Sequence, residues 1–321
     1  MDWILHIGIF LVSAYVLHIA GGFIVSGLTR TARFLGWKEF VVEFFVVSFA
    51  ASLPNLFVGV SSAIDRIPEL SFGDIMGNDL VALTLGMGLA LLFAPKLEIP
   101  ARGTTEQTTA IFTGVAATLP LLLLSDGVLS RADGLVLVFM FVFYVYWLFS
   151  KKERFEKVYD EERSDPLRDY KEVIKDGFKM IVGVALLILA AQGVIYAATF
   201  MASELNMGIA LVGLLIVGLG SALPEVYFSI YSAERGRVNM IAGNLMGAVI
   251  IPASLVLGIV TLIHPIHVVN IKFFALSRVF LIGASILFLL FLRSDKKIIK
   301  REAYVLIALY FIFIISTLYF Y

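Results

Sequence analysis

The sequence predicts an all-α polytopic membrane protein with ten transmembrane helices, arranged as two inverted five-helix repeats. Three observations predict this fold: a strongly apolar composition, ten apolar stretches that could cross a bilayer, and self-similarity after a shift of 170 residues. Of the 321 residues, 60% are hydrophobic and 16% are charged, whereas soluble domains carry about 25% charged residues. The mean hydropathy of +0.94 excludes an ordinary soluble two-domain protein.

Each predicted span is long enough for the hydrocarbon core, which requires about 20 apolar residues per helix. Long apolar runs, rather than alternating ten-residue strands, exclude a porin-type barrel. No basic residue precedes the first run and no small-residue cleavage site follows it, so we expect a retained span rather than a signal peptide. The predicted spans are 3–27, 38–64, 72–94, 107–125, 134–149, 177–201, 208–234, 241–263, 273–292 and 302–320.

Composition also limits the partners. The 25 Lys and Arg residues balance 25 Asp and Glu residues, which leaves no basic excess for nucleic acid. The chain has no Cys, and its four His show no metal-ligand spacing. It carries no nucleophile elbow or zinc-protease motif, so we expect no enzyme activity and no cofactor. The expected partners are the lipid bilayer and small inorganic ions.

The positive charges predict the orientation. If the spans alternate across the membrane, 21 Lys and Arg lie on one side and three on the other. The basic side is predicted to be cytoplasmic, which places both termini outside and the charged loop 150–176 inside. We expect a multi-pass protein of the plasma membrane.

The internal repeat divides the chain. Without gaps, 11 of the 45 residues in 51–95 are identical to residues 170 positions later. Since each copy contains five spans, the second copy enters the membrane from the opposite side, which is typical of secondary transporters. We predict a first repeat over 1–149, a connecting loop over 150–176 and a second repeat over 177–321. The matched segments lie at about 43–95 and about 213–265.

Two prolines occupy equivalent positions in these segments. Pro54 and Pro224 are expected to interrupt the second and seventh spans, because a mid-helix proline removes a main-chain hydrogen bond. In inverted-repeat transporters, helix interruptions near the midplane expose carbonyl oxygens that coordinate cations.

The residues around these prolines resemble a known family. SLPN at 52–55 and ALPE at 222–225, followed by FGDIMGND at 72–79 and AGNLMGAV at 242–249, are similar to the α-repeats of the calcium/cation antiporter superfamily. That superfamily includes the sodium/calcium exchangers. The resemblance implies secondary cation antiport by alternating access, with an ion path between the second, third, seventh and eighth spans. It implies Na⁺ and/or Ca²⁺ as transported cations.

The chain departs from the family pattern at the ligand positions. The paired glutamates of the family fall on Asn55 and Glu225, so one carboxylate is missing. The serine after the second glycine falls on Asn78 and Ala248, and a later Asn/Asp position on Ala82 and Pro252. One negative charge matches a monovalent cation or a proton better than Ca²⁺, which commonly uses several carboxylates.

Glu225 is the leading candidate, because an ionisable group in a membrane helix costs at least about 2.5–3.5 kcal/mol. Glu225 and Asn55 are the expected metal ligands. Asp79 is a further candidate ligand that could instead pair with Arg278, and Glu43 is a candidate for ion access. Asp74 is expected to cap or bridge near a helix start. The remaining candidate ligands are Ser52, Ser221 and Asn78.

Three hypotheses therefore remain open. The first is a cation antiporter of the sodium/calcium exchanger fold with a midplane site at Glu225. The second keeps the fold but exchanges Na⁺ or K⁺ against H⁺. The third is a relative that no longer transports, which Ala82 and Pro252 at ligand positions favour.

Overall fold

The computed structural model describes residues 2–34, 49, 52–94, 104–150, 166–234, 238–268, 271–293 and 300–320. These residues form ten helices and one short two-stranded ribbon. Three helices contain a π-helical segment between two α-helical parts. The helices are α1 (Asp2–Phe34), α2 (Leu53–Ile64), α3 (Pro68–Val81, π Ala82–Gly86, Met87–Phe93), α4 (Thr104–Leu123), α5 (Arg131–Ser150), α6 (Pro166–Glu204), α7 (Ile209–Val212, π Gly213–Val217, Gly218–Glu234), α8 (Val238–Ile250, π Ile251–Val256, Leu257–Ile263), α9 (Ile271–Arg293) and α10 (Lys300–Phe320).

All ten helices coincide with predicted spans. Within the described parts of the chain, eight contain apolar stretches long enough to cross a membrane. The other two, α2 and α9, contain the shorter apolar stretches Leu53–Ile64 and Ala275–Leu290. Only the second half of the predicted span 38–64 is described as a helix. The prediction of a polytopic helical membrane protein is confirmed.

Burial separates central helices from peripheral ones. In the most apolar 18-residue stretch of the helix, the buried share is 83% in α3 and 78% in α8, but only 28% in α10. The outward faces of α1, α5 and α10 carry exposed side chains such as Ile4, Phe139 and Tyr319. Apolar side chains on such faces are stable against lipid rather than water. The polar groups of α3 and α8 are therefore the ones that the bilayer cannot reach.

The two repeats share local features at the predicted offset. The π segments of α3 and α8 begin at Ala82 and Ile251, one residue from strict equivalence. Thr84 donates a hydrogen bond to the Leu80 carbonyl, and Ser254 does the same to Ile250. Both pairs are related by 170 positions. The inverted-repeat prediction is confirmed.

Helix packing repeats in the same way. Gly88 of α3 lies against Ala303 and Ile307 of α10, and Gly258 of α8 lies against Gly134 and Val138 of α5. Adding 170 to residues 134 and 138 gives 304 and 308, so the two contacts correspond within one residue. Each central helix thus packs against the last helix of the other repeat.

Glycines bring α3 and α7 into direct backbone contact. A methyl group on Gly73 would overlap the carbonyl oxygen of Ala210, and one on Gly77 would overlap that of Leu214. From the other side, a Cβ on Gly218 would lie 2.7 Å from the carbonyl oxygen of Asp74. Small residues permit this approach in membrane helices. The contact joins the first repeat to the second.

Helices α1 and α6 pack side by side through an apolar cluster that includes Leu17, Ala191 and Val194 and extends to the central helices. Serine and glycine allow them to pack closely, since a Cβ on Gly193 would overlap Ser13. These two helices also contact the central helices near the prolines. The side chain of Pro54 lies 3.4 Å from where a Cβ on Gly21 would be.

The ribbon closes one end of the molecule. Strand β1 (Val128–Leu129) pairs antiparallel with β2 (Ile266–His267), which links the α4–α5 connection to the α8–α9 connection. The amide of His267 also donates to the Glu69 carboxylate at 3.3 Å. Connections from both repeats are thus held together at the side that the charge pattern predicts to be external.

The structure corrects two expectations about helix boundaries. Helix α7 continues through Pro224 without a break, because the surrounding residues keep helical geometry despite the missing proline N–H. Its irregular part is the π segment Gly213–Val217, upstream of the proline. Likewise, α6 begins at Pro166, so the end of the predicted loop 150–176 is helical. Pro54 lies in the first turn of α2, where it costs no helical hydrogen bond.

We predict that Gly73→Ala destabilises the protein by about 3 kcal/mol, because the added methyl group must separate the α3 and α7 backbones. The measurement is the thermal melting temperature of the purified protein in detergent. Gly283→Ala in α9 is the matched control, since no atom lies within 4 Å of its added methyl group. Equal melting temperatures for the two variants would contradict the glycine contact.

Candidate functional site

The candidate site lies where α3 and α7 face each other. Asp74 and Asn78 are one turn apart on α3, and Ser221 and Glu225 are one turn apart on α7. Residues separated by four positions share one face of a helix. The glycine contact holds these two polar faces together, since Gly218 lies against the backbone of both Asp74 and Asn78.

One hydrogen bond joins the two repeats inside this site. The Ser221 hydroxyl donates to Oδ1 of Asp74 at 2.7 Å, while its distance to the carbonyl oxygen of Gly218 is 3.2 Å. Asp74 is 1% exposed. A hydrogen bond from a hydroxyl to an ionised carboxylate is stronger than one between two neutral groups. Ser221, a predicted ligand, therefore contacts a residue that the sequence analysis had placed elsewhere.

Asn78 joins α3 to α8. Its Nδ2 donates to the carbonyl oxygen of Ala248 at 3.1 Å, and 78 and 248 are equivalent positions of the two repeats. Residues related by a two-fold axis contact each other only near that axis, so this bond marks the centre of the molecule. Asn78 is fully buried, and its Oδ1 has no hydrogen-bond partner among the described residues.

Asn244 of α8 contacts the main chain of Glu225. The main-chain carbonyl of Glu225 accepts a hydrogen bond from Nδ2 of Asn244 at 3.2 Å, and the same nitrogen lies 3.3 Å from the Ser229 hydroxyl. The side chain is 9% exposed, and its Oε2 is buried without a partner in the described parts of the chain. Glu225 thus presents an unused carboxylate oxygen within the protein.

Asp79 follows Asn78 and is rotated about 100° from it around α3. It is fully buried, and neither carboxylate oxygen has a partner among the residues that the structure describes. The alternative pairing with Arg278 is therefore not formed. Its place as a ligand stays a prediction.

The first-repeat candidates lie at the beginning of α2. Ser52 directly precedes this helix and Asn55 is in its first turn, and both are buried. Helix α2 packs against α3 and α8, since Gly59 lies against Ser71, Val256 and Val260. Glu43, the candidate for ion access, lies outside the described residues.

The sequence analysis missed the role of Asp74. It is not a helix cap: it lies well inside α3, buried against α7. Asn244 was also missed as a contact of Glu225. The available signal was the pair 74 and 244, both polar and both between the two glycines of each matched segment. A central polar residue in a membrane helix is a functional candidate whether or not it matches a family ligand.

The expectation of a single carboxylate is corrected accordingly. Asp74 and Glu225 are both buried, on the facing helices α3 and α7. Among the described residues, however, no three His, Asp or Glu side chains are arranged to hold a metal ion. The site offers oxygen atoms of carboxylate, amide and hydroxyl type, which hard cations prefer. It has no thiolate and no imidazole among its described residues.

We predict that Ser221→Ala lowers the stability of the cation-free protein by about 1–2 kcal/mol, because Asp74 loses its buried donor. Thermal melting in detergent without Na⁺ or Ca²⁺ measures this change. Ser203→Ala is the control, because that hydroxyl only donates to Phe200 of its own helix. A Ser221→Ala variant as stable as this control would contradict the cross-repeat bond.

The sequence of this chain is similar to those of known membrane proteins. The family model described as sodium/calcium exchanger protein matches residues 5–150 and 178–319. An uncharacterized membrane protein of Methanocaldococcus jannaschii is 25% identical over 313 residues, which covers 98% of both chains. The sodium/calcium exchanger MaX1 of Methanosarcina acetivorans is 23% identical, with 92% of this chain and 94% of that protein covered.

A solved structure has the same fold. The sodium-calcium exchanger NCX_Mj, soaked with Na⁺ and Sr²⁺, superposes with a TM-score of 0.65 at 24% identity. The match covers 98% of this chain and 99% of the other. At this level of identity the likeness establishes the fold and leaves the ligand positions to be judged from this chain's own residues.

Proposed function

Because this chain belongs to the sodium/calcium exchanger protein family, we propose that it exchanges Na⁺ for Ca²⁺ by alternating access around Glu225. At the coarser level it is a membrane transporter of the cation antiporter class rather than an enzyme, as its exchanger relatives are. The observation that carries the proposed site is a pair of buried oxygens, Oε2 of Glu225 and Oδ1 of Asn78, that have no hydrogen-bond partner in the described part of the chain.

The physical argument concerns the free energy of burying unpaired polar atoms. Unpaired polar atoms in a protein interior cost several kcal/mol unless a ligand satisfies them. Both atoms accept but do not donate hydrogen bonds, so a cation satisfies them better than an anion. They lie on α7 and α3, beside the contact that joins the two repeats. This is where inverted-repeat transporters bind their substrates.

The packing of α1 and α6 supports alternating access. Helices α1 and α6 share an apolar cluster that is distinct from the main core, although it also includes Val58, Leu70 and Val212 of the central helices. They contact the central helices where the candidate ligands begin: Gly21 lies near Pro54, and Phe10 lies near Gly220. We propose that this pair of helices shifts against the other helices to expose the site to one side at a time.

The identity of the two exchanged cations is part of the proposal. Na⁺ and Ca²⁺ are the ions named for the exchanger relatives, and the solved structure of NCX_Mj was soaked with Na⁺ and Sr²⁺. The alternative, Na⁺ or K⁺ against H⁺, is favoured by Asn55 in place of a family carboxylate. The proposed ligands are Glu225 and Asn55 with Ser52, Ser221 and Asn78, while Asp79 is a further candidate.

We expect proteoliposomes loaded with Na⁺ and diluted into radioactive Ca²⁺ to take up Ca²⁺, and Glu225→Gln to reduce uptake to the rate of protein-free vesicles. The carboxylate is needed because an amide cannot neutralise a cation in a low-dielectric site. Glu204→Gln, which alters an exposed acid at the end of α6, is the control and should transport normally.

The outcomes separate the hypotheses. Uptake that persists in Glu225→Gln would contradict the proposed site. Absence of Ca²⁺ uptake together with Na⁺- or K⁺-driven proton movement would favour the monovalent alternative. Absence of both in a folded protein would leave a relative that does not transport.

We also propose a plasma-membrane location with both termini outside, and a division into repeats at 1–149 and 177–321 joined by the cytoplasmic segment 150–176. The support is the excess of Lys and Arg on one side of the ten spans. The division has further support in the two matched blocks, 5–150 and 178–319.

The natural absence of cysteine makes the orientation testable. We expect a membrane-impermeant maleimide to label Asp65→Cys in intact cells but to label Ser150→Cys only after the membrane is permeabilised. Both positions are exposed, at the end of α2 and the end of α5 respectively. The opposite labelling pattern would show that the termini are cytoplasmic.

A further inference from the structure

The two repeats carry their acidic residues at different equivalent positions. Position 55 corresponds to 225, and position 74 corresponds to 244. The first repeat has Asn55 and Asp74, whereas the second has Glu225 and Asn244. Each repeat therefore supplies one carboxylate and one amide, but in opposite order. The acid that is missing at position 55 is present on the next helix of the same repeat.

In the second repeat these two positions are in contact. Nδ2 of Asn244 donates to the main-chain carbonyl of Glu225 at 3.2 Å. The inverted repeat relates the α2–α3 pair to the α7–α8 pair, and α2 packs closely on α3 through Gly59 and Ser71. A carboxylate at 74 thus lies in the same part of the site as one at 55 would.

The surroundings of Asp74 match a ligand position. Its side chain is buried, Oδ1 receives the Ser221 hydrogen bond at 2.7 Å, and Glu225 is one turn along α7 from Ser221. Oε2 of Glu225 and Oδ1 of Asn78, on either side, are buried and have no partner among the described residues. No described basic side chain bonds to Asp74 or Glu225.

Charge balance at two neighbouring buried carboxylates needs either a bound cation or protons. Both carboxylates stay ionised only when a cation lies beside them, and otherwise at least one of them takes up a proton. One divalent cation neutralises both, while a monovalent cation leaves one negative charge uncompensated in the membrane interior. Amide, hydroxyl and main-chain oxygens nearby can complete the six to eight ligands that Ca²⁺ takes.

We propose that Asp74 is a second cation-ligating carboxylate, which supplies from α3 the charge that position 55 lacks. With Glu225 it makes the site selective for a divalent cation. This inference rests on the proposed function, since it assumes that the transported cation binds at Glu225. Ser221 orients the Asp74 carboxylate through its hydrogen bond.

The test is equilibrium binding of Ca²⁺ to the full-length protein in detergent, by titration calorimetry. Asp74→Asn keeps the size of the side chain and an oxygen for Ser221, and we expect it to weaken Ca²⁺ binding at least about tenfold. Asn55→Glu combined with Asp74→Asn returns the charge to the equivalent position, and we expect it to restore most of the affinity. Glu204→Gln is the control.

Thermal melting without cations checks that each variant is folded, and Asn55→Asp combined with Asp74→Asn replaces the first double variant if that one is unstable. Loss of affinity in Asp74→Asn with recovery in the double variant would support the inference. Normal Ca²⁺ binding by folded Asp74→Asn would overturn it, and so would a folded double variant without recovery. If Glu225→Gln also bound Ca²⁺ normally, the proposed function itself would fail.

Discussion

The close contact between α3 and α7 is the constraint on which the rest of the structure depends. Glycines at 73, 77, 213 and 218 let the two backbones touch, and a single added methyl group at Gly73 would overlap the Ala210 carbonyl. Because the backbones touch, side chains close to these glycines face each other across the contact. Asp74 and Ser221 meet for this reason, and Asn78 and Glu225 follow one turn along each helix.

The apolar membrane makes it costly to leave polar groups of this arrangement without hydrogen bonds. Outside the contact, the helices bury apolar side chains against each other or expose them to lipid. At the contact, carboxylate and amide oxygens lie where no water or lipid headgroup can solvate them. Hydrogen bonds from Ser221 and Asn244 satisfy some of these groups. The oxygens that remain unsatisfied define what the site can bind, and their chemistry is that of cation ligands.

The inverted repeat places equivalent residues together without requiring them to be identical. Asn78 bonds to Ala248 near the two-fold axis, and the π segments of α3 and α8 preserve almost the same register in both halves. The acidic residues, in contrast, lie at different positions of the two repeats: Glu225 is on α7 and Asp74 is on α3. In the site that we propose, both repeats contribute to one charge balance, so an acid on either helix can serve.

The sequence by itself determined the ten helices and the inverted repeat, because apolar length and repeat register can be read directly from a linear chain. It singled out Glu225 as the leading candidate ligand, because an acid within a long apolar stretch is visible in the sequence. It also predicted Ser52, Asn55, Ser221 and Asn78 as candidates, and these residues are on the helices that converge. Only the tertiary structure decided that Asp74 bonds to Ser221 across the two repeats, that Asp79 does not pair with Arg278, and that α7 continues through Pro224. The physical reason is that these outcomes depend on which helix faces are in contact. Glycine-mediated packing between distant segments sets those faces, and no local pattern encodes it.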